Sequence, residues 1–284
     1  MLRKSVILGA AAAALAVPAA PALAAWSGLN MPTGVTTLSG EIHSLHMLIL
    51  WICVVIGIVV FGVMIFSLVK FRKSQGAVAD TKLLHSTKAE FIWTGIPVVI
   101  LVAMAVPAAS TLIKIEDATK IDLTIKVTGY QWKWQYEYLD EGVSFFSTLA
   151  RDSDAARQLN SGVDPASIPN YLLDVDNRLV VPVGKKVHIL LTSQDVIHAW
   201  WVPDLAVKKD AVPGVINDVW FNVRADKAGV YRGQCVELCG RDHGFMPIVV
   251  EAKSQEDYAV WLASMKPQAP AATPAATVAA NAAN

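Results

Sequence analysis

Two long apolar runs mark the first part of the chain, and short alternating runs mark the rest. Leu45 to Val69 (LHMLILWICVVIGIVVFGVMIFSLV) holds no charged residue, and neither does Phe91 to Ile113 (FIWTGIPVVILVAMAVPAASTLI), which contains Pro97 and Pro107. A bilayer core takes about 20 apolar residues per helix, and prolines are tolerated there. The runs therefore predict two membrane-spanning helices, over 45–69 and 91–114. Hydrophobic and polar positions then alternate in IDLTIKVT (Ile121 to Thr128) and partly in KKVHILLT (Lys185 to Thr192). DVWFNVRA (Asp218 to Ala225) and MPIVVEAK (Met246 to Lys253) are further strand candidates, and VPVG, VPGVIND and ADKAG supply turns. Many short strands divided by turn residues predict a β-sandwich or barrel over 115–265. Arg151 to Asn170 is expected as an inserted loop or short helix, and Glu256 to Met265 as a closing helix. The fold class expected is a membrane-anchored all-β chain: a two-helix hairpin followed by a β-sandwich or barrel.

The charges orient this arrangement. Residues 1–24 read as a secretory signal peptide, with Arg3 and Lys4, an apolar stretch from Ser5 to Val17 and a small-residue cleavage site at Ala22 to Ala24. The mature chain would then start near Ala25, with 25–44 outside the cytoplasm. The loop over 70–90 carries Lys70, Arg72, Lys73, Lys82 and Lys88 against Asp80 and Glu90. Excess Lys and Arg marks the cytoplasmic side, so the domain after the second helix also lies outside. That domain has 15 Lys/Arg and 21 Asp/Glu, although the whole chain is formally neutral. An acidic outer face suits a cationic protein partner, and no nucleic acid is expected. Past Lys266 the Ala/Pro-rich stretch 266–284 is expected to be disordered.

Chemistry concentrates in GQCVELCGRDHGFMPIVV, from Gly233 to Val250. Cys235, Cys239, His243 and Met246 fall within twelve residues, and these are two of only three cysteines. Outside the cytoplasm a Cys235–Cys239 disulfide is the plain alternative, but it has no use for His243 or Met246. Structural zinc has no use for a methionine. Thiolate and thioether suit copper, and imidazole suits copper or zinc. A mononuclear blue-copper site takes one Cys, two His and a weak axial Met, which leaves one thiolate over. Two thiolates at i and i+4 can instead bridge two coppers, given a second imidazole. His198 in SQDVIHAWWVPDL is the natural supplier.

DVIHAWWVPDL, GQCVELCGRDHGFMPIVV, TGYQWKWQYEY and LLDVDNRLVVP, behind a two-helix hairpin, resemble subunit II of the haem–copper cytochrome c oxidases. The resemblance covers about Leu45 to Met265 and implies a cupredoxin-like outer domain. It implies a binuclear CuA centre held by His198, Cys235, Cys239, His243, Met246 and the backbone carbonyl of Glu237. The two cysteines would bridge two copper ions, and the Glu237 side chain would reach a magnesium ion at the interface with subunit I. Subunit III is a further implied partner, and so is a separate cytochrome c donor, since the chain has no Cys-x-x-Cys-His run for a fused haem c. The activity implied is transfer of electrons from cytochrome c to haem a of subunit I, where oxygen reduction drives proton pumping. A quinol oxidase subunit would lack these ligands; a membrane-anchored mononuclear cupredoxin or copper carrier is the alternative.

Two more residues take roles from the resemblance. Tyr130, Trp132, Trp134, Tyr136 and Tyr138 alternate in YQWKWQYEY, as a strand with one aromatic face would. The family's electron-accepting tryptophan maps to Trp132. Lys133 and Tyr130 depart from residues frequent in the family, and neither is a copper ligand. Glu137, Asp140, Glu141, Asp174 and Asp176 are candidate docking acids for cytochrome c. Glu90 reads on its own as a helix N-terminal acid; the resemblance places it at the mouth of a proton-uptake channel.

Overall fold

The computed structural model describes residues 30–78, 81 and 85–266. The expected signal peptide, the chain beyond Lys266, and Asp80 and Lys82 of the loop lie outside the described residues.

Two helices, α1 (Thr37–Lys70) and α2 (Thr87–Ile115), contain the apolar runs, with mean hydropathies of 3.1 and 2.3 over their most apolar windows. Both are long and apolar enough to cross a membrane. At 1.5 Å per residue, α1 is about 51 Å long, well beyond the ~30 Å hydrocarbon core. It begins eight residues before the apolar run because Thr36 caps it. Thr36 Oγ1 accepts the Ser39 N–H at 2.9 Å and Ser39 Oγ accepts the Thr36 N–H at 2.9 Å, a reciprocal pair that fixes a helix start. The cap also docks on the outer domain. Thr36 bridges Val223, its hydroxyl donates to the Leu205 carbonyl at 3.2 Å, and Leu38 is buried there. Lys114 of α2 pairs with Glu41 of α1 at 2.8 Å. Ser86 caps α2 at the other end, where Glu90 stands in the first turn.

The outer domain has ten strands in two five-stranded sheets. They are β1 (Leu123–Tyr130), β2 (Lys133–Tyr138), β3 (Val143–Ser147), β4 (Leu179–Pro182), β5 (Val187–Ser193), β6 (His198–Val202), β7 (Val207–Ala211), β8 (Asn217–Phe221), β9 (Gly229–Cys235) and β10 (Pro247–Lys253). One sheet runs β3-β2-β1-β5-β8 and the other β4-β10-β9-β6-β7. The β1–β5 and β10–β4 pairs are parallel and the other neighbours antiparallel. This is the cupredoxin-like sandwich expected. A short helix α3 (Arg151–Ala156) lies in the inserted segment, and α4 (Gln255–Met265) follows β10.

Between the sheets sit Ile125, Val127, Ile189, Leu191, Trp200, Phe221, Ile248 and Val250, all fully buried. Alternation along β5 buries every second residue, Val187, Ile189, Leu191 and Ser193, as the period of two demands. The aromatic run is not one strand. Tyr130 ends β1, Gln131 and Trp132 turn, and Trp134, Tyr136 and Tyr138 then point inward from β2. Tyr138 ties the sheets together: its hydroxyl donates to the Val180 carbonyl at 2.6 Å and accepts the Val180 N–H at 3.0 Å.

Candidate metal centre

The ligand candidates come from one end of the second sheet. His198 is the first residue of β6 and Cys235 the last of β9, strands paired at Trp200–Cys235 and Trp201–Gln234. Cys239, His243 and Met246 lie on the connection from β9 to β10, where His243–Phe245 forms a single 3-10 turn. Strand pairing thus brings a residue 37 positions away in sequence against Cys235.

The cluster is closed and mostly dry. His198, Cys235, Cys239 and Met246 are buried, and His243 is half-buried. Cys235 Sγ and Cys239 Sγ lie 3.9 Å apart, far beyond the about 2.05 Å of a disulfide, and both thiols are free. His198 Nδ1 is 3.9 Å from Cys235 Sγ, and His243 Nδ1 is 3.4 Å from Cys239 Sγ. Met246 Sδ stands 3.6 Å from Cys239 Sγ. The Glu237 carbonyl accepts from Cys235 Sγ at 3.4 Å. Each sulfur therefore has its own imidazole, and one has a thioether while the other has a carbonyl.

The second ring nitrogen of His198 is also engaged. Nε2 lies 2.9 Å from Asp195 Oδ1. A proton on Nε2 donates to the carboxylate and leaves the Nδ1 lone pair facing Cys235, the arrangement that orients a ligating histidine. Burial opposes charge on Asp195. Hydrogen bonds from His198 and from the backbone N–H groups of Gln131 and Val196, both at 2.7 Å, outweigh it and hold the carboxyl below its ordinary value. Burial, with the neighbouring Cys235, pushes the Cys239 thiol up to about 12. A cation bound between the sulfurs would have to displace that proton, as thiolate ligation requires. The opposite wall is set by Gly129, where a Cβ would come within 2.7 Å of His198 Cδ2.

Trp132 lies directly against this cluster. Its indole Nε1 donates to the Cys239 carbonyl at 3.2 Å, beside Gln131 Nε2 at 2.8 Å, and its ring is partly buried under the Arg241 guanidinium, 5.5 Å away. With Thr148, Leu149, Asp154, Arg157, Asp242 and Phe245 it lines a surface cavity of about 200 Å³. Glu237 turns its side chain to the surface while its carbonyl faces Cys235. Glu90 stands in the first turn of α2, at the end away from the outer domain, and is exposed. Most candidate docking acids have partners within the chain. Glu137 pairs with Lys126 at 2.9 Å, Glu141 with Lys266 at 2.7 Å, and Asp174 with Arg232 and Arg178 at 3.3 and 3.5 Å. Asp176 accepts the N–H groups of Thr148 and Asn177. Among the described residues Asp140 has no such partner.

Three supporting residues escape a motif reading. Asp195 could have been suspected from its place three residues before His198. Gln131 gives no signal. Arg157, from the end of α3, is 2.7 Å from Asp154 and 3.7 Å from Asp242, with its guanidinium 4.2 Å from the Phe245 ring. It braces the turn that carries His243, and nothing in its local sequence says so.

The donor set fits a soft metal such as copper. Two thiols, two imidazoles, a thioether and a carbonyl converge in a buried pocket, with one imidazole already oriented by a carboxylate. Comparison with known proteins identifies the family. The family described as "Cytochrome C oxidase subunit II, periplasmic domain" matches residues 123–253, and the corresponding transmembrane-domain family matches 24–110. A probable cytochrome c oxidase subunit 2 of Rickettsia bellii is 43% identical over 225 residues, covering 79% of each chain. The cytochrome c oxidase subunit 2 of Cereibacter sphaeroides is 37% identical over 243 residues, covering 83% of this chain and 79% of that one. The crystal structure of the periplasmic domain of subunit II of the Bradyrhizobium japonicum oxidase is 43% identical over 51% of this chain and 94% of that one, with a TM-score of 0.43.

Proposed function

The chain belongs to the cytochrome c oxidase subunit II family, and from that premise we propose that its buried Cys–His–Met cluster is a binuclear CuA centre fed by cytochrome c. As a subunit of a haem–copper terminal oxidase it works with other subunits and does not reduce oxygen alone. Cys235, Cys239, His198, His243, Met246 and the Glu237 carbonyl would together hold the two coppers. Bound there, the copper pair would take up and release single electrons without making or breaking a substrate bond.

The chain's own residues account for the rest. The buried walls exclude water, and Asp195 and Gly129 hold the His198 ring. Trp132 offers a partly exposed ring joined to Cys239 by one hydrogen bond, a short route for an electron arriving from a docked cytochrome c. The excess of acids in the outer domain favours that cationic donor, chiefly through encounter rate. The electron would leave towards haem a of subunit I, with subunit III as a further neighbour. No described residue pairs with the Glu237 carboxylate, which is free to hold magnesium where the loop meets subunit I. Residues 45–69 and 91–114 would anchor the chain in a bacterial inner membrane with 115–265 in the periplasm.

The observation that carries this reading is the pairing of each thiol with its own imidazole. A mononuclear cupredoxin site, with one Cys, two His and an axial Met, would leave one buried thiol without a metal. Elemental analysis and EPR of the full chain decide between them. Two thiol-dependent coppers per chain and one unpaired spin shared over both nuclei are expected, with the shared-spin signal lost in Cys235→Ser. One thiol-dependent copper per chain would overturn the binuclear centre.

A further inference from the structure

The outer end of α1 carries a second group of soft donors, separate from the thiol cluster. His43, His46 and Met47 stand at i, i+3 and i+4, so they share one face of the helix. All three are half-buried, while Glu41, Ser44 and Leu48 around them are exposed. The segment that precedes the helix covers this face. His43 Nδ1 lies 3.1 Å from the Met31 carbonyl; donating there, it leaves the Nε2 lone pair free. Asn30 Nδ2 donates to Met47 Sδ at 3.3 Å, and Asn30 Oδ1 accepts from His46 Nε2 at 2.9 Å. A single amide group thus sits between an imidazole and a thioether that are both turned towards it. A thioether is a weak acceptor, so this contact contributes little to holding the segment down. Its sulfur nevertheless faces the same Asn30 amide as the His46 ring. Two imidazoles and a thioether make a donor set for a soft monovalent metal.

We infer that His43, His46 and Met47 form a holding site for Cu(I) on α1, with the Asn30 amide keeping the donors in place while the site is empty. Copper as the metal rests on the function proposed above; the site itself rests on the geometry of α1. Binding is ligand exchange. The Asn30 amide withdraws, the His46 proton moves from Nε2 to Nδ1 through solvent, and Cu(I) takes His43 Nε2, His46 Nε2 and Met47 Sδ. No electron moves and no net proton is released.

Ag(I), a redox-inert substitute for Cu(I), tests the site. It is titrated against a competing chelator into the full-length Cys53→Ser chain in detergent, with the outer domain already loaded with copper and α1 stripped of it by the chelator. One Ag(I) per chain is expected, displaced by Cu(I), with X-ray absorption showing nitrogen and sulfur neighbours. His46→Ala combined with Met47→Leu should weaken binding by about 100-fold or more, the upper range seen when metal-site support is removed. Asn30→Ala should leave binding equal or tighter. Unchanged copper content and visible absorption in each variant show that the fold is intact. A repeat in a chain with Cys53, Cys235 and Cys239 all changed to Ser counts silver independently of the outer copper. A failed CuA assignment would show as a missing copper complement in the chain that keeps Cys235 and Cys239, with the silver count of the triple variant unaffected. The proposal is overturned by no silver beyond the copper complement, by wild-type affinity in the double variant, or by loss of binding in Asn30→Ala.

Discussion

At the scale of single residues, the proposed centre depends on side chains outside its candidate ligands. Asp195 fixes which nitrogen of His198 faces the sulfurs, and Trp132 connects the cluster to the surface. If Trp132 is the electron acceptor, Trp132→Ala should slow electron uptake from cytochrome c by at least about tenfold, which is ~1.4 kcal/mol of barrier. Copper content and the EPR signal should not change. Stopped-flow reduction by cytochrome c at equal copper loading is the measurement, and an unaltered rate would send the electron by another route. Asp122 gives a prediction about acid. Its carboxylate accepts the Lys186 N–H at 2.8 Å and faces Lys185 Nζ at 3.3 Å, and these contacts outweigh burial and lower its proton affinity below the ordinary 3.8. A carboxyl lowered in the folded state adds stability above pH 3.8, and that stability is lost as pH falls through the folded value. Asp122→Asn should therefore melt lower than the parent at neutral pH, by less than about 1 kcal/mol at this half-exposed site. The gap should close in melts taken progressively below pH 3.8. A gap that is constant across that range would mean the contact is not ionic.

At the scale of elements, the site is where two strands are forced close. In β9, a Cβ on Gly233 would lie 1.9 Å from the Trp201 carbonyl oxygen of β6. Backbone approach of that kind is reserved for glycine. Gly233→Ala should push β6 from β9 and cost about 1–3 kcal/mol as overpacking does. Because β6 carries His198 and β9 carries Cys235, copper per chain should fall along with the melting temperature. A variant that loses stability but keeps its full copper would show that the loops alone build the site. The same pairing explains what could be read from sequence. The convergence of the candidate donors around the β9–β10 connection was legible, because five of the six are local. The hairpin helices and the strands β1, β5, β8 and β10 were legible from period and hydropathy, because burial on one face leaves that trace. The turn at Gln131–Trp132 was not, because alternation continues straight through it. Nor was the bracing by Arg157 or the neutralisation of Glu137 and Glu141, which depend on residues distant in sequence. The early start of α1 was hidden because a cap and docking contacts, not apolar length, set it.

At the scale of the whole molecule, the proposed electron and proton functions lie at opposite ends. Trp132 and the thiol cluster belong to the outer domain, while Glu90 stands in the first turn of α2, beyond the full length of a 29-residue helix. The dipole of that helix favours an acid there, which accounts for Glu90 without any proton chemistry. An ionisable group at a membrane boundary can also collect protons for a path inward, and the two roles differ in what they disturb. A helix-end acid affects stability alone. A proton collector affects only steps that consume protons, and the first electron transferred to copper consumes none. Glu90→Ala should therefore slow turnover of the assembled oxidase in vesicles, together with haem reduction coupled to proton uptake. Copper spectra and the rate of the first electron from cytochrome c should match the parent. Glu90→Asp, which keeps the carboxylate, should recover much of the lost rate, whereas Glu90→Gln should not. If turnover and proton uptake are unaltered in a fully assembled Glu90→Ala enzyme, the acid serves the helix and protons enter elsewhere.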